Sequence, residues 1–145
     1  PTALRYAARM NADELRQRLT VFLQRQTGAG EIAIDGLKRM PGGASREIWQ
    51  LDLAYDDGGE RRRLELVLRR DPPGRAAESN LRHEFALLRA AAAAGVEVPR
   101  VYWLGDESET LGAPFFFMQR VAGETIARRL LRDDEYAGAR AAMTA

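Results

Sequence analysis

Gly42 and Gly43 stand between two apolar-rich runs, with Ala44 and Ser45 next in the chain. Glycine lacks Cβ and accepts positive φ, so such a turn can present backbone N–H groups to an anion at close range. The Ser45 hydroxyl adds a donor. An ordinary hairpin would use the same Gly-Gly pair, so the turn gains meaning only from residues further along the chain. Arg69, near the end of an alternating run, supplies a cation. Glu84 lies three residues after Leu81 and four before Leu88, within the apolar stripe of a helix. A carboxylate on a packed face is costly unless paired, so a cation should meet it. The reach of Arg69 fits; Lys38, the only lysine in the chain, belongs to an earlier strand. The apolar run Phe115-Phe116-Phe117-Met118 leads into Gln119, Arg120 and Val121, where backbone groups leaving a sheet are free to pair with a ligand.

The elements that must position these residues are set by periodicity. Asn11 with Glu14 three residues on forms a capping-box signal. Leu15, Leu19, Phe22 and Leu23 then keep helical spacing until Gly28 and Gly30 stop the helix. This predicts an amphipathic helix covering a sheet. Residues 31–40 read as a first strand. Trp49, Leu51, Leu53 and Tyr55 alternate with polar or small residues in a second. Asp56-Asp57-Gly58-Gly59 is a hairpin signal. In the third strand Leu64, Leu66 and Leu68 share one face, while Glu65, Val67 and Arg69 share the other. The neighbouring Arg70 therefore falls on the leucine face.

Asp71-Pro72-Pro73-Gly74 breaks that strand, and a helix over 77–94 comes next. Its place is the face bearing Val67 and Arg69, which leaves the leucine face to the N-terminal helix. His83 lies off the apolar stripe and reads as an exposed helix residue. Residues 98–104 and 111–121 form two more strands, the second apolar enough to be buried on both faces. A helix could begin at 125–131, and the tail from 132 reads as a linker or a cut helix. The fold class is α+β: a five-stranded, mostly antiparallel sheet with one main packing helix plus an N-terminal helix. The division is 1–30 as N-terminal helix and lead-in, 31–124 as the main lobe, and 125–145 as a linker.

Composition narrows the classes. A chain of 145 residues, 46% hydrophobic and 30% charged, can bury a real core. No apolar run reaches the roughly 20 residues needed to span a bilayer, and no signal-peptide pattern opens the chain; a cytoplasmic protein is the simplest expectation, with no membrane partner. The absence of cysteine excludes disulfides and thiolate metal sites. With 22 basic against 21 acidic residues, the arginines are interleaved with acids, and no basic stripe marks a nucleic-acid binder. Arg61-Arg62-Arg63 is explained by a solvated strand end.

At Gly42-Gly43-Ala44-Ser45-Arg46-Glu47, Leu66-Val67-Leu68-Arg69, Arg82-His83-Glu84-Phe85-Ala86-Leu87-Leu88, Val96-Glu97-Val98-Pro99-Arg100-Val101 and the stretch 112–123, the chain resembles the protein-kinase-like superfamily. Within it, the chain resembles the aminoglycoside phosphotransferase family of small-molecule kinases. The wording is similar to phosphotransferase domains found beside acyl-CoA dehydrogenases. The resemblance spans about 32–124 and implies a nucleotide-binding N-terminal lobe of an ATP- or GTP-dependent phosphotransferase. By that resemblance Gly42, Gly43, Ala44 and Ser45 close over phosphates, Arg69 holds the α- and β-phosphates, and Glu84 orients Arg69. Val67 packs on the base, Met118 lines the pocket behind it, and Gln119 and Val121 read the base through their backbone.

Two departures stand out. Arginine occupies a position that is often lysine in the family. The family's His-Gly-Asp catalytic loop is also absent, since the residue after His83 is Glu84. The resemblance therefore implies no catalytic and no metal-ligating residue in this chain, with Mg²⁺ and the acceptor bound through a second lobe. It implies an inactive isolated lobe whose exposed interlobe face can self-associate. A non-catalytic kinase-like interaction module is the alternative.

Overall fold

A computed structural model describes residues 10–41, 46–72, 80–105, 110–124 and 126–143. The elements in chain order are α1 (Ala12–Thr27), β1 (Ile32–Arg39), β2 (Glu47–Asp57), β3 (Glu60–Arg70), α2 (Leu81–Ala93), β4 (Val101–Gly105), β5 (Phe115–Gln119), α3 (Ala127–Arg132), a 3₁₀ turn (Asp134–Tyr136) and α4 (Ala137–Met143). The sheet order is β1-β2-β3-β5-β4, and all four pairings are antiparallel.

Local chemistry sets the ends of α1. The Asn11 side chain accepts from the Glu14 N–H at 2.8 Å, and Gly28 closes the helix at φ 72° in the left-handed region. Leu15, Leu19, Phe22 and Leu23, the four residues on the periodic stripe, are the buried ones. They pack on Trp49, Leu51, Leu53, Leu66, Leu68, Phe115 and Phe117, so α1 covers the leucine face as expected. Full burial of each such leucine contributes about 1.5–3 kcal/mol. Gly58 and Gly59, at φ 59° and 93°, make the tight turn that pairs Asp57 with Glu60.

The opposite face carries α2. Leu81 and Phe85 pack on Phe116, with Leu88, Val101, Leu104 and Met118 around them. Strand β5 lies between β3 and β4 with a core on each side, so Phe115, Phe116 and Phe117 are all fully buried. Alternation sends Phe115 and Phe117 towards α1 and Phe116 towards α2. His83 is exposed.

Some boundaries differ from the sequence reading. Strand β5 is Phe115–Gln119 rather than 111–121, because Gly112 turns the chain at φ 69° before it and the ladder to β3 ends just past Gln119, with the Arg120 N–H on the Glu65 carbonyl. Strand β4 begins at Val101 rather than at 98; Pro99 lacks the N–H a ladder needs. The described part of the second helix starts at Leu81, and residues 77–79 of the expected helix lie outside the described residues. The tail carries helical turns, in keeping with the helix expected from 125–131 and the cut-helix alternative after it.

Candidate nucleotide-binding site

Register across the sheet places the candidate residues in two rows on the α2 side. Arg69 lies opposite Ile48 on one neighbour and Phe116 on the other; Val67 lies opposite Gln50 and Met118. The rows are two residues apart along β3, roughly 7 Å. Val67 is buried, Met118 half-buried, and together they form an apolar floor beside the Arg69 guanidinium.

Arg69 and Glu84 form the expected ion pair, Nη1 to Oε1. The guanidinium carbon also lies 5.9 Å from the centre of the Phe116 ring. Phe116 is in turn held edge-on by Phe85 at 5.6 Å. Arg69 is thus supported on two sides while a quarter of its side chain stays accessible. Its Nε is buried with no hydrogen-bond partner, and no described residue pairs with its Nη2.

The pair is not alone. Arg46 reaches the other oxygen of Glu84 through Nη1, Asp71 Oδ1 through Nε at 3.1 Å, and Asn80 Oδ1 through Nη2. Two guanidiniums and two carboxylates therefore share one small volume, with Glu84 bonded at both oxygens. Sequence reasoning missed Arg46, Asp71 and Asn80. Arg46 was visible only as a letter after the Gly-rich turn, and no local spacing links it to partners 25, 34 and 38 residues away. Arg70 sits on the leucine face as alternation required. It is buried and bonded to Glu47 Oε2 at 2.9 Å and to the Leu111 carbonyl at 2.8 Å.

At the end of β5 the Gln119 N–H donates to the Arg100 carbonyl at 2.7 Å. The return bond of that antiparallel pair is made by the side chain: the Arg100 N–H donates to Gln119 Oε1 at 3.3 Å. No described N–H is paired with the Gln119 backbone carbonyl. Arg120 then anchors the departing chain. Its N–H donates to the Glu65 carbonyl at 3.0 Å, and its Nη2 reaches Asp52 Oδ1 at 2.8 Å and Glu65 Oε1 at 2.7 Å. Burial acts to lower the Arg120 pKa, but the bonds to Glu65 and Asp52 outweigh it and raise it above the usual value. Val121, next in sequence, is exposed. Gly42, Gly43, Ala44 and Ser45 lie outside the described residues.

The five-stranded sheet with α1 on one face and α2 on the other has the architecture of a protein-kinase-like N-terminal lobe. Residues 36–145 match the model of the phosphotransferase enzyme family (APH), and the chain belongs to that family. A mouse protein, acyl-CoA dehydrogenase family member 10, is 39% identical over 61 residues, which are 41% of this chain and 6% of the mouse protein. A Ralstonia eutropha crystal structure, assigned to the aminoglycoside phosphotransferases, superposes with a TM-score of 0.53 at 20% identity. That likeness concerns the fold, and covers 77% of this chain but 29% of the Ralstonia chain. No described helix is long and apolar enough to cross a membrane.

Proposed function

We propose that this chain is the nucleotide-covering lobe of a cytoplasmic ATP- or GTP-dependent phosphotransferase that acts on a hydroxyl group of a small molecule. The observation that carries the reading is the Arg69–Glu84 pair beside the Val67–Met118 floor. Arg69 has donors left over at its accessible end, where Nη2 has no described partner. An anion with several oxygens would satisfy that deficit, and α- and β-phosphates supply it. The base would lie on Val67 with Met118 behind it. The Gln119 carbonyl and the Val121 N–H would pair with its edge, and Gly42, Gly43, Ala44 and Ser45 would cover the phosphates.

In the reaction so proposed, the acceptor oxygen attacks the γ-phosphorus, the bond to the β–γ bridging oxygen breaks, and the nucleoside diphosphate leaves. A base takes the acceptor's proton. The role of this lobe is to hold the polyphosphate straight and to neutralise part of its charge. No group of three His, Cys, Asp or Glu among the described residues fits a metal ion. The base and the Mg²⁺ expected for such chemistry are assigned, on this reading, to a second lobe. The lobe alone should bind nucleotide without transferring phosphate.

The test is nucleotide affinity and turnover in the full-length protein. Arg69→Ala and Glu84→Ala should each lower both, and the double variant should lose little more than the worse single, because the two side chains act as one unit. A Glu84→Ala protein with unchanged affinity and turnover would reject the reading.

A further inference from the structure

We propose that Arg46 is a positioning residue for the phosphate-binding cation: it holds Glu84 and the start of α2 so that Arg69 faces the nucleotide. This rests on the nucleotide reading above and adds a residue to it. Donor use separates the two arginines. Three nitrogens of Arg46 are committed, to Asp71 at the end of β3, to Asn80 before α2, and to Glu84 in the first turn of α2. Arg69 commits one nitrogen. Two arginines beside the same carboxylate therefore have different jobs: one is tied at all three nitrogens, the other at one, with Nη2 left for a ligand.

Glu84 alone could not keep Arg69 aimed. The terminal torsion of a glutamate is soft, and a single contact leaves the carboxylate plane free to turn. With Oε1 on Arg69 and Oε2 on Arg46, the plane is set by two cations. When phosphates compete for Arg69, Arg46 still holds Glu84.

Asn80 gives an independent observation. It occupies the N-cap position of α2, yet makes no side-chain bond to its own helix. Its Oδ1 is instead taken by Arg46. A capping bond contributes about 1 kcal/mol, so the helix forgoes stability to fasten its start to Arg46. Departure from a local stability rule of this kind is characteristic of a functional position.

Arg46→Lys and Arg46→Ala, each in the full-length protein, test the proposal with ATP, ADP and adenosine as probes in calorimetric titrations. Lysine keeps the charge but cannot span three acceptors with a planar fork. Both variants should bind ATP and ADP about tenfold more weakly, the equivalent of one charge-assisted hydrogen bond. Adenosine affinity should be unchanged. Amide exchange over residues 81–85 should quicken in both variants without any ligand. Lysine binding ATP as well as arginine would reduce Arg46 to a charge and overturn the proposal. Equal losses for all three probes would mean general damage and would also overturn it. If the unsubstituted protein bound none of the probes, the nucleotide reading would fall. Exchange would then still decide the positioning role: faster in Arg46→Lys supports it, unchanged refutes it.

Discussion

At the residue scale the chain uses arginine in two opposite ways. Arg69 is partly accessible with donors to spare, whereas Arg70, one residue on, has a side chain only 3% exposed and is bonded to Glu47 and the Leu111 carbonyl. Strand alternation alone separates them. The Arg70–Glu47 pair ties β3 to β2, with Arg70 almost fully buried and the other oxygen of Glu47 4.0 Å from the exposed Arg39. Glu47→Ala would leave a buried guanidinium with one carbonyl partner and should destabilise the protein by about 3–5 kcal/mol. Replacing both, as Glu47→Leu with Arg70→Met, should cost less than the single change, because the unpaired charge goes too. Urea midpoints at constant slope would measure this. A single change costing under about 1 kcal/mol would show that the guanidinium finds other partners.

Packing between elements depends on one close approach. Gly105 ends β4 directly opposite Phe115, and a Cβ at residue 105 would run into the Phe115 ring. That ring cannot retreat: it is fully buried, with Phe22 at 4.9 Å and Phe117 at 6.0 Å. Gly105 has no positive φ, so its role is space rather than backbone freedom. Overpacking of this kind costs typically 1–3 kcal/mol and occasionally more, and Gly105→Ala should lie near the upper end, at about 3 kcal/mol. Gly30→Ala is the control, since a Cβ there meets nothing within 4 Å; its change should stay within about 0.5 kcal/mol. Thermal melts of the two variants would compare them, and equal melting temperatures would refute the packing argument. Helix α1 belongs to the same unit. It lies ahead of the family match, which begins at residue 36, yet supplies four core side chains.

On the scale of the whole molecule, the sheet is covered by α1 on one face and partly by α2 on the other, and the chain leaves β5 beside the uncovered part. Val121, Ile126 and Leu131 are 62%, 55% and 70% exposed. Phe115, Phe116 and Phe117 add nothing to that surface, because both cores absorb them. Val121, Ile126 and Leu131 lie after the strand, where a second lobe would dock under the proposed function, whereas Val21, Leu87 and Val96 are exposed elsewhere. The isolated chain should therefore self-associate at high concentration and bind a dye that reports exposed apolar surface. Sedimentation as a strict monomer with no dye binding would count against a docking face there.

Much of this was legible in the sequence, for a local reason. Asn11 and Gly28 mark α1 because capping geometry involves neighbours in the chain. Leu66, Val67, Leu68 and Arg69 declare their faces because alternation belongs to a strand's own backbone. Glu84 announced a cationic partner because an unpaired carboxylate in an apolar stripe is costly. Tertiary structure alone decided the rest. It inserted β5 between β3 and β4, since pairing depends on energies between distant segments that leave no periodic trace in either. It brought Arg46 to Asp71, Asn80 and Glu84, because a side chain at the start of a strand can reach any segment the fold carries past it. The sequence determined that Glu84 needed a cation; only the folded chain made that two arginines, one tied at all three nitrogens and one at a single nitrogen.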